Sequence, residues 1–141
     1  MSLLIRMRKN YFLAKISYII LRFLGVVIPP TVKLGKNFKL VHWAYGSGIH
    51  PNTIVGDNVR IYSGVTIGRG DIFIKNREDI QIIIEDDVII CTGAKVLCKG
   101  QKLVVGKGTI IGANSVLLKS TGTGEVWGGI PARKLKDVSQ I

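Results

Sequence analysis

Acid is scarce in this chain. Nine Asp and Glu stand against twenty Lys and Arg, a formal charge of +11 in 141 residues. Such an excess points to an anionic partner: nucleic acid, a membrane surface, or a polyanionic small molecule such as a nucleotide-bearing cofactor. The cations concentrate near the N-terminus (Arg6, Arg8, Lys9, Lys15, Arg22) and the C-terminus (Lys119, Arg133, Lys134, Lys136). Aromatic residues make up only 7%, and they are not interleaved with these cations. No helix-turn-helix, zinc-finger or RNA-binding pattern is present either, so nucleic acid is disfavoured. Cysteine is nearly absent. Cys91 and Cys98 form no C-x-x-C pair, which excludes the usual zinc and redox motifs and leaves core thiols in a reducing cytosol. Long apolar runs are missing as well. Residues 3–28 are rich in Leu, Ile and Phe, but Lys15 and Arg22 interrupt them. The run is too short to span a bilayer and lacks a small-residue cleavage site. Leu13, Ile16, Ile20, Phe23 and Leu24 recur there at helical spacing. They predict one or two amphipathic helices packed on the body or on a neighbouring subunit, with peripheral membrane contact as the alternative.

What the chain does contain is Val, Ile and Leu within a 47% hydrophobic composition, and seventeen glycines. Those residues suit short strands joined by tight turns. From Ile28 an aliphatic residue returns every six positions: Ile28, Leu34, Leu40; then Ile49, Val55, Ile61, Ile67; then Ile84, Ile90, Val96; then Val105, Ile111, Leu117. Gly often follows it (Gly35, Gly56, Gly68, Gly106, Gly112), which we expect to ease the bend. The fifth place is small or β-branched, as at Thr53, Val59, Val65, Val88, Ala94 and Ser115. A period of six fits neither a helix nor a hairpin. It is the signature of a left-handed parallel β-helix, with three units per triangular coil and about four coils. The expected organisation is an N-terminal helical segment over residues 1–27, a β-helix over 28–125 with a loop at 69–83, and a C-terminal tail over 126–141.

The period breaks three times, after Leu40, Ile67 and Val96. Counting three units per coil, the second and third breaks leave one corner of the prism and the first leaves an adjacent corner. The long break, "RGDIFIKNREDIQII", alternates on both sides of Asn76–Asp79 and predicts a protruding hairpin. The first break, "LVHWAYGSGIHP", holds both histidines of the chain, His42 and His50. Extrusions from a rigid scaffold are where function usually sits.

The tract "GVVIPPTVKLGKNFKLVHWAYGSGIHPNTIVGDNVRIYSGVTIG", the segments "GAKVLCKG" and "IGANSV", and the closing "GGIPARKLK" resemble the serine acetyltransferase branch of the hexapeptide-repeat acyltransferases over residues 17–136. Many short members of that branch acetylate sugars during capsule or exopolysaccharide assembly. The resemblance implies acetyl-coenzyme A as co-substrate, a cytoplasmic homotrimer with sites between subunits, and no metal. The carbonic anhydrase on this fold needs three zinc-binding histidines, and the chain has two. The family's base matches His42, and imidazole is the side chain best suited to take the proton of a hydroxyl. His50, second in a regular unit, is expected to be structural. Trp43 and Tyr45, with Gln81, are the expected acceptor contacts. Thr92, Ala94 and Ala113 would lie along the cofactor's arm, with Lys119, Arg133 and Lys136 toward its phosphates.

The departures matter as much. Serine acetyltransferases carry acids where Val27 and Val41 stand here, and a second histidine about where Gln81 falls. These losses point to an O-acetyltransferase acting on a neutral sugar hydroxyl, free or lipid-linked at the inner face of the membrane. Serine O-acetyltransferase and a weak or non-catalytic family member are the alternatives.

Overall fold

The computed structural model describes residues 2–74 and 79–141. Helix α1 spans Ser2–Arg6 and α2 spans Tyr11–Phe23, separated by a 3-10 turn. The Asn10 side chain caps α2 by accepting from the Phe12 N–H at 2.9 Å, satisfying one of the donors a helix start leaves open. The face of α2 that packs inward is small: Ala14, Ser17 and Leu21 are buried. Ser17 Oγ donates to the Leu4 carbonyl at 2.7 Å. Of the covers expected for that spacing, the body of this chain is not the one that meets its bulky residues. Leu13, Ile16, Ile20 and Phe23 face outward, Phe23 at 88% exposure. Close approach of the helix to its neighbours admits short side chains, and the bulky stripe is left on the far side.

Among the described residues, thirteen short strands then wind as a left-handed parallel β-helix, and a fourteenth doubles back. One face stacks β1 (Lys33–Leu34), β4 (Thr53–Val55), β7 (Gln81–Ile84) and β10 (Lys102–Val105). A second stacks β2 (Lys39–Leu40), β5 (Arg60–Ile61), β8 (Ile89–Ile90), β11 (Ile110–Ile111) and β13 (Glu125–Gly129). A third stacks β3 (Gly48–Ile49), β6 (Thr66–Arg69), β9 (Lys95–Cys98) and β12 (Val116–Leu117). All of these pairings are parallel. Only β14 (Ala132–Asp137) returns antiparallel, on β13. β13 therefore carries the coil stack across residue 125.

The register is the one the period dictates. Leu34, Val55, Ile84 and Val105 form one inward ladder, and Ile49, Ile67, Val96 and Leu117 a second. Leu40, Ile61, Ile90, Ile111 and Trp127 form the third. From Ile61 inward these side chains are sealed from solvent, and each buried Ile or Leu contributes about 1.5–3 kcal/mol. The fifth-place residues Thr53, Val59, Val65, Val88, Ala94 and Ser115 point in as well. One corner is turned by Asn37, Asn58 and Asp87, all with positive φ. Their side chains hydrogen-bond from coil to coil, Asn37 to Asn58 at 3.1 Å and Asn58 to Asp87 at 3.0 Å. Short polar residues tolerate this conformation best.

At Gly35, Gly56 and Gly106 the glycine after the ladder residue has a different reason from the one expected, whereas a Cβ at Gly68 would meet nothing nearer than 4.0 Å. Gly56 does not adopt positive φ. A Cβ placed there would stand 2.7 Å from the Asp86 nitrogen and 2.9 Å from the Glu85 carbonyl carbon. Coil-to-coil backbone contact, and not the bend, demands glycine.

The breaks leave the corners that counting predicted. The first joins β2 to β3; the second and third join β6 to β7 and β9 to β10. The hairpin expected around Asn76–Asp79 falls largely outside the described residues. Its described flank is a turn, not a strand, with the Ile74 N–H donating to the Asp71 carbonyl at 3.0 Å. Asp71 is anchored in the base of this loop. It accepts from Arg69 at 3.0 Å and from the Gly100 N–H at 3.2 Å, and both side chains are nearly buried. Burial opposes its charge, but the Gly100 N–H and the Arg69 guanidinium together hold its carboxyl below the ordinary aspartate value. A depressed folded pKa gives stability that is present above the unfolded value and lost as pH falls through the folded one. The Tm gap between the wild-type protein and Asp71→Asn should therefore narrow as pH is lowered from 6 toward 3. Thermal unfolding across that range checks it, and a gap independent of pH would contradict it.

Candidate active site

His42 stands where the third ladder ends and the first break begins. Leu40 pairs with Ile61, Ile61 with Ile90, and Ile90 with Ile111. Residues two beyond each ladder position share a corner, so Ser63, Thr92 and Ala113 mark one edge of the prism, with Tyr45 in the matching place of the first coil and His42 on the extrusion beside it. Backbone hydrogen bonds tie that edge together: Gly64 N–H to Tyr45, Gly93 N–H to Ser63, Asn114 N–H to Thr92, at 2.7–2.9 Å. Gly64 and Gly93 turn it with φ of 71° and 74°.

The break itself is strained. Three successive residues without glycine, His42, Trp43 and Ala44, have φ of 50°, 64° and 47°. Each left-handed residue of this kind costs on the order of 1–2 kcal/mol. The strain is held by a firm base. Ala44 is fully buried, the Gly46 N–H donates to the Gly25 carbonyl at 2.9 Å, and Ser47 Oγ donates to the Tyr62 carbonyl at 3.1 Å. Its result is to lift the imidazole of His42 out of the wall into solvent. The Tyr62 ring lies beside it, centroids 6.1 Å apart and tilted by 56°. Trp43 and Tyr45, both about half exposed, stack on each other at 6.3 Å with planes 10° apart. Together they form an aromatic wall next to the imidazole.

His50 is placed differently. Its Nδ1 accepts from the Asn52 N–H at 3.2 Å, closing a local turn. Burial first, and then the positive charge of Arg69, lower its pKa, so it stays neutral near pH 7. Cys98 is buried and Cys91 half-buried, and burial pushes both thiols up.

The other expected contacts divide. Thr92 and Ala113 are exposed on the His42 edge. Ala94 is not: its side chain is fully buried in the coil, because the fifth place of a unit points inward. It therefore cannot line a ligand. Gln81 opens β7 on another face, so within one chain it does not join His42. Lys119 lies with its Nζ 5.4 Å above the Trp127 ring. Arg133 and Lys136 are exposed on β14, and neither pairs with a carboxylate among the described residues. Their neighbour Lys134 is instead bound to Glu125 at 3.1 Å and Asp137 at 2.7 Å. From the level of β2 to that of β13 is four coil steps, about 19 Å at strand spacing. A molecule reaching from His42 to these cations must be long and extended. Tyr62 and Ser63 were not singled out in the sequence, although the register of the ladder places them at this edge.

On the acidic side the edge is bare. Val27 bridges Gly48 at the restart of the coil, and Val41 precedes His42. The His42 side chain has no carboxylate partner among the described residues.

No family model matches the chain. Similar proteins are nevertheless readily found. A serine acetyltransferase of Bacillus pumilus is 41% identical over 127 residues, covering 89% of this chain and 55% of that protein. A serine O-acetyltransferase structure from Brucella melitensis superposes with a TM-score of 0.76 at 30% identity, covering 95% of this chain and 54% of that one. A serine acetyltransferase of Brucella abortus, solved in complex with coenzyme A, gives 0.71 at 32% identity, covering 90% and 47%. The chain thus spans about half the length of the relatives it matches.

Proposed function

Because its coil stack is that of the hexapeptide-repeat acyltransferases, we propose that this chain transfers an acetyl group from acetyl-coenzyme A to a hydroxyl, with His42 as general base. The observation that carries the reading is His42 itself. It is a lone imidazole lifted from the wall by a strained break, at the head of an edge whose far end gathers unpaired cations.

The chemistry follows from that placement. The exposed imidazole takes the proton of an acceptor hydroxyl as its oxygen attacks the thioester carbonyl. The tetrahedral oxyanion then collapses, the C–S bond breaks, and the leaving thiolate takes up the proton from the imidazolium. Trp43 and Tyr45 present a flat aromatic surface on which an acceptor can rest. Thr92 and Ala113 leave the edge low enough for an extended arm. Arg133 and Lys136, free of carboxylates, are available to phosphates.

The relatives named above move the first choice of acceptor toward free serine, the alternative held at the level of sequence. The Brucella abortus complex supports coenzyme A as the donor's carrier. One observation favours a second reading, a neutral sugar hydroxyl. Valines stand at 27 and 41, where an amino acid's ammonium would find carboxylates, and no carboxylate replaces them beside His42. A screen of acetyl-coenzyme A consumption with free serine against sugars and sugar nucleotides decides between them. Efficient serine turnover establishes the first reading, turnover on sugars alone establishes the second, and inertness toward all hydroxyl acceptors would sink both.

A further inference from the structure

We propose that the N-terminal cap is a docking surface for an anionic lipid bilayer, with α2 lying in the interface plane. Phe12, Ile16, Ile19 and Phe23 follow at intervals of four, three and four along α2. They form one stripe directly opposite the packed Ala14, Ser17 and Leu21. Phe12, Ile19 and Phe23 are 70%, 55% and 88% exposed. A stripe this bulky and open on a helix that already has its inward face covered needs a second apolar environment. Along one border run Lys15, its Nζ 4.7 Å above the Tyr11 ring, and Arg22, donating to the Tyr18 hydroxyl at 3.1 Å. Long cationic side chains paired with aromatics are what holds a helix at the headgroup level.

The charge of this end specifies the partner. The first 56 residues contain eight Lys and Arg and no Asp or Glu, whereas the rest of the chain holds twelve against nine. Arg6, Lys33, Lys36 and Lys39 surround an open depression of ≈ 840 Å³ between α1 and the first coil. None of these four side chains forms an ion pair with a carboxylate among the described residues. A second copy of the chain laid on this stripe would bring cations against cations. An anionic bilayer supplies an apolar interior and negative headgroups together. At 13 residues, α2 is about 20 Å long, short of the roughly 30 Å hydrocarbon core. It therefore lies on the membrane instead of crossing it. No helix among the described residues is long and apolar enough to cross.

This inference goes beyond acetyl transfer, and its test needs none. The protein is sedimented with vesicles of phosphatidylcholine alone or mixed with phosphatidylglycerol, at low and high salt. It should partition at least about tenfold more onto the anionic vesicles, and less as salt rises. The double variant Phe12→Ser/Phe23→Ser should lose about tenfold of that binding with unchanged thermal unfolding, since both side chains are exposed. Lys15→Gln/Arg22→Gln should lose the preference for anionic lipid. Absence of binding, equal binding to both vesicles, or wild-type binding by the phenylalanine variant would overturn the proposal. So would a phenylalanine variant whose only change is a smaller assembly in sedimentation velocity, which would assign the stripe to another copy of the chain.

Discussion

Replacing His42 by alanine should lower kcat by about a thousandfold, within the range general bases supply, while the affinity for acetyl-coenzyme A changes little. The imidazole is exposed and makes no hydrogen bond in the wall, so its loss removes no support from the fold. Arg133 and Lys136, the cations proposed for the cofactor's phosphates, lie about four coil steps away, so binding of the donor should survive. Steady-state kinetics with the acceptor found by screening, together with calorimetric titration of coenzyme A, separate the two effects. A second variant sharpens the test. His42 sits at φ 50°, where glycine is at home and other residues are strained. His42→Gly should be as inactive as the alanine variant, yet keep its stability to within about 1 kcal/mol, relief of strain offsetting the added freedom of the unfolded chain. A histidine serving only the structure would show the reverse, with stability lost and rate kept. An unchanged rate in either variant removes His42 from its role.

Gly56→Ala should be among the most damaging small substitutions in the coils, costing about 3 kcal/mol, toward the upper end for overpacking. A methyl group there meets backbone atoms of the next coil at 2.7–2.9 Å. Backbone held on both sides by parallel pairing cannot move aside as a side-chain end can. The coils would have to part locally, lengthening the Gly56 N–H to Ile84 carbonyl bond, now 2.7 Å. The fall in Tm should be about 10 °C for a chain of this length. Gly48→Ala is the control. A Cβ there has nothing within 4 Å, and its Tm should stay close to that of the wild type. Equal effects at the two sites would mean that turn entropy, not coil spacing, sets the glycine requirement.

The contrast between Gly56 and Gly48 shows where sequence reasoning stops. Both are glycines in a repeat, and spacing marks Gly56 as special without saying why. The reason is a distance between residues almost thirty positions apart, which no local pattern contains. Ala94 carries the same lesson. Its type suits a ligand edge and its place in the unit suits the core, and the structure obeys the place. In α2 the spacing identified a helix and left open whether the body, another subunit or a membrane covers its bulky residues, and in the single chain they face out. Leu13, Ile16, Ile20 and Phe23 are apolar whether they meet protein, another subunit or lipid. Periodicity reports that a stripe exists, not what covers it.

The fold was legible from the chain alone. A period of six aliphatic residues, broken at three points, determined the triangular coil, the inward ladders and the corners from which the breaks depart. It could do so because every coil repeats the same local geometry, and each residue's partner stands one turn away in the same frame. Tertiary structure decided what the period could not reach. It set His42 in a left-handed run at the head of an edge shared with Tyr62, Ser63, Thr92 and Ala113, and left the α2 stripe facing out. Those outcomes depend on the distance between coils and on which neighbour arrives first to fill a space. Such quantities belong to the packed molecule and to no single stretch of its sequence.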